Sequence, residues 1–151
     1  MFTMSFLVYS CEYGVKSGNE LSKDGIEFIR NLEILDENET IIQFHSQSGE
    51  SDEVKQAGNF YTEKRIASYW IDRNNESETK INSAFYSQID TILQVDNTKN
   101  WSAGSFLKVK TSESGNFRVY INGDSAVVLG FFDGVMKEWN EKKATNTVYS
   151  K

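Results

Sequence analysis

The chain has 151 residues, within the ~100 to 200 of a single domain, so one domain, or one domain with a tail, is expected. It contains 0 prolines, 1 cysteine and 1 histidine, which excludes proline-rich linkers and stalks, an internal disulfide and a Cys/His zinc site. Hydrophobic residues at 38%, aromatics at 13% and charged residues at 25% describe a folded globular chain rather than a disordered one.

The formal net charge of -6 argues against non-specific nucleic-acid binding, which depends on Lys and Arg neutralising phosphates. The charge is unevenly spread. Glu12 to Glu53 holds 11 acidic and 3 basic residues, net -8, whereas Val54 to Lys151 holds 11 acidic and 13 basic, net +2. Acidic excess mainly confers solubility; a docking face for a basic partner is the functional alternative.

Met1 to Cys11 is apolar but far shorter than the ~20 residues that span a bilayer, and it lacks the basic region of a secretory signal. Val8-Tyr9-Ser10-Cys11 loosely resembles a bacterial lipobox, with Cys11 as the candidate lipidated residue, although Tyr9 is bulkier than that pattern uses. A buried first strand and the stub of a membrane anchor are the other readings. Residues 1–20 are therefore expected to form an apolar, flexible segment, 21–143 a single domain and 144–151 a disordered tail.

Ser22 can cap a helix on which Ile26, Ile29 and Leu32 follow helical spacing, with Asp24 and Glu27 well placed in the first turns and Gly25 weakening it. The period then changes to two. Ile42 and Phe44 alternate with Gln43 and His45, the pattern of a half-buried strand that leaves His45 exposed. Ser46 to Gly58 reads as a polar loop. In Arg65 to Ile71, Ile66 and Trp70 face one side and Ala67, Tyr69 and Ile71 the other, so this strand should be covered on both faces, with Trp70 at the core or its rim. Asp72 to Glu78 is a loop by composition, followed by β-rich runs at Thr79 to Ala84 and Ile89 to Val95.

Gly104 to Lys110 points Leu107 and Val109 inward, with Lys108 and Lys110 outward. Asn116 to Ile121 does the same with Phe117, Val119 and Ile121 against Arg118 and Tyr120, and Ser112 to Gly115 between them marks a hairpin. Val128, Phe131, Phe132, Val135, Met136 and Trp139 then form one broad helical stripe. Strands in the middle and a strongly amphipathic helix at the end imply an α+β domain in which the helix plugs an open or barrel-like antiparallel sheet.

This order of elements resembles the bacterial pleckstrin-homology-like (PH-like) domain family. Leu35 to Phe44 is similar to that family's opening strand after an acidic Glu-x-Ile lead-in. Gly58 to Ile66 with Tyr69 looks like its Thr-x-Lys-Arg-Ile strand, and Ile81 to Ile92 is similar to a third segment. The resemblance covers Leu35 to about Lys142 and implies a bent, partly open barrel of about seven strands capped by the C-terminal amphipathic helix. In the wider superfamily such domains bind lipids, peptides or proteins. Phosphoinositide-binding members gather cations around the first hairpin loop; here that loop carries Glu50, Asp52 and Glu53 against Lys55, which argues against headgroup binding there.

No Gly-x-Ser-x-Gly elbow accompanies His45, no acidic cluster has EF-hand spacing, and no glycine-rich loop could cradle phosphates. Neither an enzyme nor a bound cofactor or metal is expected. The candidate partner-binding set is Lys108, Lys110, Arg118 and Tyr120, which share one sheet face if their strands pair, together with Trp101 in a loop. Outward alternation with lysines guarding a sheet edge would give the same pattern. The expected function is a non-enzymatic interaction module for a protein or peptide partner rather than nucleic acid. An acidic immunity or inhibitor protein that masks a toxin or nuclease is the alternative. The expected location is cytoplasmic, or membrane-associated through the N-terminus.

Overall fold

The computed structural model describes residues 16–46, 53–100, 103–112 and 115–149. The strands are β1 (Lys16–Ser17), β2 (Ile41–His45), β3 (Ala57–Thr62), β4 (Arg65–Trp70), β5 (Lys80–Phe85), β6 (Ile89–Val95), β7 (Ser105–Thr111) and β8 (Asn116–Ile121). The helices are α1 (Lys23–Asn31), the short α2 (Glu53–Gln56) and α3 (Ser125–Tyr149). Every strand pair is antiparallel, in a five-stranded sheet of order β1-β2-β3-β4-β5 and a three-stranded sheet of order β6-β7-β8. The expected bent, partly open architecture is therefore built as two sheets with no closed barrel, and β1 adds a short pairing to β2 within the segment expected to be flexible.

The larger core lies between the sheets and beneath α3. Ile66, Tyr61, Ile92, Leu107, Val109 and Val119 meet Val128, Phe131, Phe132, Val135 and Trp139 of the helix there, so the amphipathic stripe packs as its spacing requires. Gly134 lets α3 approach this closely, because a Cβ at that position would collide with the Tyr61 phenol. Asp124 caps the helix by accepting from the Val127 N–H at 2.9 Å. No proline interrupts α3, which runs from Ser125 to Tyr149, so helix continues through residues 144–149, where a tail was expected.

A second core covers the opposite face of the five-stranded sheet. Ile29, Ile34 and Leu35 pack on Ile41, Phe44, Phe60, Ala67 and Tyr69, which accounts for the two-sided apolarity of β4. Ser22 caps α1 by accepting from the Gly25 N–H at 3.1 Å. The helix ends where Glu33 adopts φ 61°, a left-handed turn that ordinarily favours Gly or Asn. In β2, Ile42 and Phe44 do not share a face as strict alternation predicts. A register shift between Ile41 and Gln43 sends Phe44 to the outer core and Ile42 to the inner one, the usual effect of a bulge.

One buried network ties this N-terminal covering to the sheet. The Glu39 carboxylate accepts from Arg65 Nε at 3.0 Å and from the Thr62 hydroxyl at 2.7 Å, and lies 2.7 Å from Arg65 Nη2. Asp36 accepts from the same guanidinium at 2.6 Å. Thr62 Oγ1 also accepts the backbone N–H groups of Lys64 and Arg65, at 3.0 and 3.1 Å, and so shapes the β3–β4 turn. The Glu39 side chain is 0% exposed and that of Arg65 5%, so each charge relies on the other in place of water. Arg65→Met, which strands the Glu39 charge, should cost about 3–5 kcal/mol in urea denaturation. Arg65→Met with Glu39→Leu should recover much of that loss. A cost below about 1 kcal/mol for the single change would mean that the pair behaves as a solvated surface bridge.

Candidate functional site

The sheets are joined crosswise by a row of polar side chains. His45, Asn59, Ser68 and Asn82 stand side by side across β2, β3, β4 and β5, as the register pairs His45↔Asn59, Asn59↔Ser68 and Ser68↔Asn82 require. Strand β8 crosses this row, and its backbone edge bonds to it. The Asn122 N–H donates to His45 Nε2 at 3.0 Å, the Tyr120 N–H donates to Asn59 Oδ1 at 3.2 Å, and the Ser68 hydroxyl donates to the Arg118 carbonyl at 3.2 Å. His45 is 2% exposed, which corrects the solvent-facing position expected for it. The alternating pattern of β2 was that of a half-solvated strand, but the face turned away from the apolar outer core meets another strand rather than water. Burial holds the imidazole down to about pKa 4, so it is neutral at pH 7 and accepts a hydrogen bond rather than acting as a base poised near neutrality.

Because Arg118 and Tyr120 direct these backbone groups at the other sheet, their side chains project from the opposite face of β8 to the inward Phe117 and Val119. β7 and β8 pair with Lys108 opposite Arg118, Phe106 opposite Tyr120 and Lys110 opposite Asn116. Lys108, Lys110, Arg118 and Tyr120 thus do come together on one face, joined by Phe106 and by Leu93 of β6, which pairs with Lys108. Like charges directly across a strand pair are destabilising. Arg118 is held by aromatic neighbours instead: its guanidinium lies 4.7 Å from the Phe106 ring centroid and donates to the Tyr120 hydroxyl at 3.1 Å. Lys108 and Lys110 lie on the central strand of their sheet, so they do not guard an edge. Among the described residues no carboxylate pairs with Lys80, Lys108, Lys110 or Arg118.

Where the polar row runs out, a cleft of about 380 Å³ opens between β8 and the β4–β5 hairpin. Trp70, Lys80, Asn82, Asn116, Arg118 and Tyr120 are among its lining residues. Trp70, expected at the core or its rim, is 42% exposed, because it ends β4 beyond the point that β8 covers. Trp70 and Lys80 flank the 71–79 loop and face each other in register, a pairing that strand length alone could have shown. Trp101 and Cys11 lie outside the described residues, as do the hairpin-loop carboxylates Glu50 and Asp52. Among the described residues, no three His, Cys, Asp or Glu side chains gather as a metal site would require. No described helix is long and apolar enough to cross a membrane.

Two antiparallel sheets packed across each other with a C-terminal helix in the gap define the fold of a PH-like domain. A crystal structure of a DUF1696 family protein with a pleckstrin-homology domain, from Shewanella loihica PV-4, is similar to this chain over 85% of its residues and 96% of that protein's, with a TM-score of 0.50 and 14% identity. At that identity the likeness shows the fold. No family model matches the sequence, and no curated protein matches it.

The depressed His45 pKa makes stability depend on pH. An unfolded chain protonates His45 below its ordinary pKa of 6.5, whereas the folded chain does so only near 4. In that window the unfolded state binds more protons, so stability is fully present above pH 6.5 and falls as the pH drops towards 4. The loss attributable to His45 should be about 3 kcal/mol. Denaturant titrations at pH 7, 5.5 and 4.5 should show a shallower slope for His45→Gln, whose amide oxygen can still accept the Asn122 N–H. Identical slopes would remove His45 as the cause.

Proposed function

We propose that the chain is a non-enzymatic PH-like interaction module, and that it binds a protein or peptide partner through the outward face of β6–β8 and the adjoining cleft. The observation that carries this reading is the set Lys108, Lys110 and Arg118, unpaired with carboxylates among the described residues and interleaved with Phe106 and Tyr120, on a chain whose net charge is -6. Such a face matches an acidic partner surface, with the aromatic rings supplying apolar contact area. The neutral, buried His45 supports the non-enzymatic part, since the chain's single histidine is engaged in joining the sheets.

The second reading is the acidic immunity or inhibitor protein, in which the N-terminal third contacts a basic partner. The groove along α1, lined by Glu27, Glu33, Asp36 and Glu37 as well as Lys23 and Arg30, is the surface that favours it. The readings separate in one experiment. Partners are captured from lysate of the native host with wild type, with Lys108→Ser/Lys110→Ser/Arg118→Ser, and with Glu27→Ser/Glu33→Ser/Glu37→Ser. Loss of a captured protein with the first variant alone, and weakening at raised ionic strength, is the expected result. Loss with the second variant alone would replace the leading reading by the inhibitor one. Retention by both would overturn both surfaces.

A further inference from the structure

We infer that the outer edge of β5 takes up an extended acidic segment of the partner as an added strand, an inference that rests on the interaction-module reading and assigns its binding mode. β5 ends the five-stranded sheet, and no described segment pairs with it on the side away from β4. The direction of its backbone groups follows from two bonds. The Tyr86 N–H donates to the Lys64 carbonyl at 3.0 Å, so Ala84, Asn82 and Lys80, at even spacing from Tyr86, turn their backbone groups to β4. Phe85, at odd spacing, turns away: its N–H donates to Gln88 Oε1 at 3.2 Å. By the same alternation Ile81 and Ser83 direct their N–H and C=O groups outward, and these are the groups an incoming strand would use.

The side chains beside this edge have the same character. Five large hydrophobic side chains are exposed among the described residues, and three of them, Trp70, Ile81 and Phe85, lie on the β4–β5 hairpin. Sheet edges are ordinarily protected by charge, proline or a covering element; β5 carries Lys80 as its one charge and no proline. Its two faces differ. Ile81 and Phe85 lie on the outer side, whereas Lys80 and Asn82 lie on the side of the cleft, opposite Arg118. An added strand alternates its side chains in the same way. Apolar residues would meet Ile81 and Phe85, and acidic residues at the alternate positions would meet Lys80 and Arg118. Among the described residues no carboxylate pairs with these two cations, which makes the complement acidic.

The test uses the full chain labelled with nitrogen-15 and two synthetic peptides, acetyl-Thr-Glu-Val-Glu-Thr-Glu-Val-Glu-amide and its counterpart with Lys for Glu. Amide hydrogen exchange at Ile81 and Ser83 should slow by about tenfold on adding about 1 mM of the acidic peptide and not with the basic one. Ser83→Pro removes an edge donor without removing a β4–β5 ladder bond, and it should abolish that protection. Ile81→Glu, which sets a like charge beside the peptide, should weaken it about tenfold in case the proline variant fails to fold. Five outcomes overturn the inference. Protection absent at both amides with the acidic peptide removes the added strand. Equal protection by both peptides removes the charge complement. Protection that grows with protein concentration alone assigns the edge to a second copy of the chain. Shifts confined to Lys108, Lys110 and Arg118 leave the module reading standing without strand addition, as would a natural partner that Ser83→Pro captures as well as wild type does. The module reading itself is decided separately, by the host-lysate capture with the Lys108/Lys110/Arg118 and Glu27/Glu33/Glu37 variants.

Discussion

The constraint on which the rest of the structure depends is the edge of β8. A three-stranded sheet has two edges, and packing one of them into a protein interior would ordinarily leave N–H and C=O groups without water or a partner strand. Here His45, Asn59 and Ser68, one from each of three neighbouring strands, take the place of that partner strand. Because the row runs across the five-stranded sheet, β8 must cross it rather than extend it. The sheets therefore meet crosswise and leave the gap that α3 fills. Each bond of this kind contributes only about 1 kcal/mol net, but an unmade one costs more than a made one gains, so the row fixes registry more strongly than its energy implies.

The same geometry sets what the surface can offer. With backbone groups at Arg118 and Tyr120 turned to the row, the two side chains are committed to the outward face, and the hairpin register brings Phe106 and Lys108 beside them. The row reaches its last member at Asn82, and β8 begins at Asn116, which lines the cleft with it. The cleft is thus the place where one strand is too short for the sheet it crosses. Trp70 and Lys80 line it for that reason, and β5 pairs with no described segment on its far side.

Much of this was legible in the residues. The period-two runs of β7 and β8 placed Lys108, Lys110, Arg118 and Tyr120 on one face, and the helical stripe from Val128 to Trp139 required a helix packed on a core. The resemblance between Leu35–Phe44 and Gly58–Ile66 and the family's strands also has a physical content. Glu39, Thr62 and Arg65 of those two segments converge on one buried ion-pair network, so that part of the motif encodes how the N-terminal covering docks. What was not legible involved contacts distant in sequence. His45 looks like solvent-facing alternation, and nothing local marks Asn59 and Ser68 as its partners; only the crossing of β8, more than 50 residues after Asn59 and 70 after His45, makes the three an interior row. The bulge at Ile41/Gln43 carries no glycine to announce it, and the left-handed turn after α1 uses Glu33 where a reader looks for Gly or Asn.

Charge segregation follows from the same division of labour between the sheets. The acidic N-terminal third is the part that wraps the outer face of the five-stranded sheet, with Glu39 buried against Arg65 and the other carboxylates of the α1 region left towards solvent. The cations Lys108, Lys110 and Arg118 stand on the second sheet, which that covering does not reach. A charged partner would therefore meet a surface of opposite sign on two separate parts of the molecule, and at moderate salt, where fields decay over about 8–10 Å, each part would be felt locally rather than as the net charge of -6. The chain's overall acidity, taken alone, points towards basic partners. The residues that border the cleft between β8 and the β4–β5 hairpin, Lys80 and Arg118 among them, are drawn instead from the basic remainder of the chain.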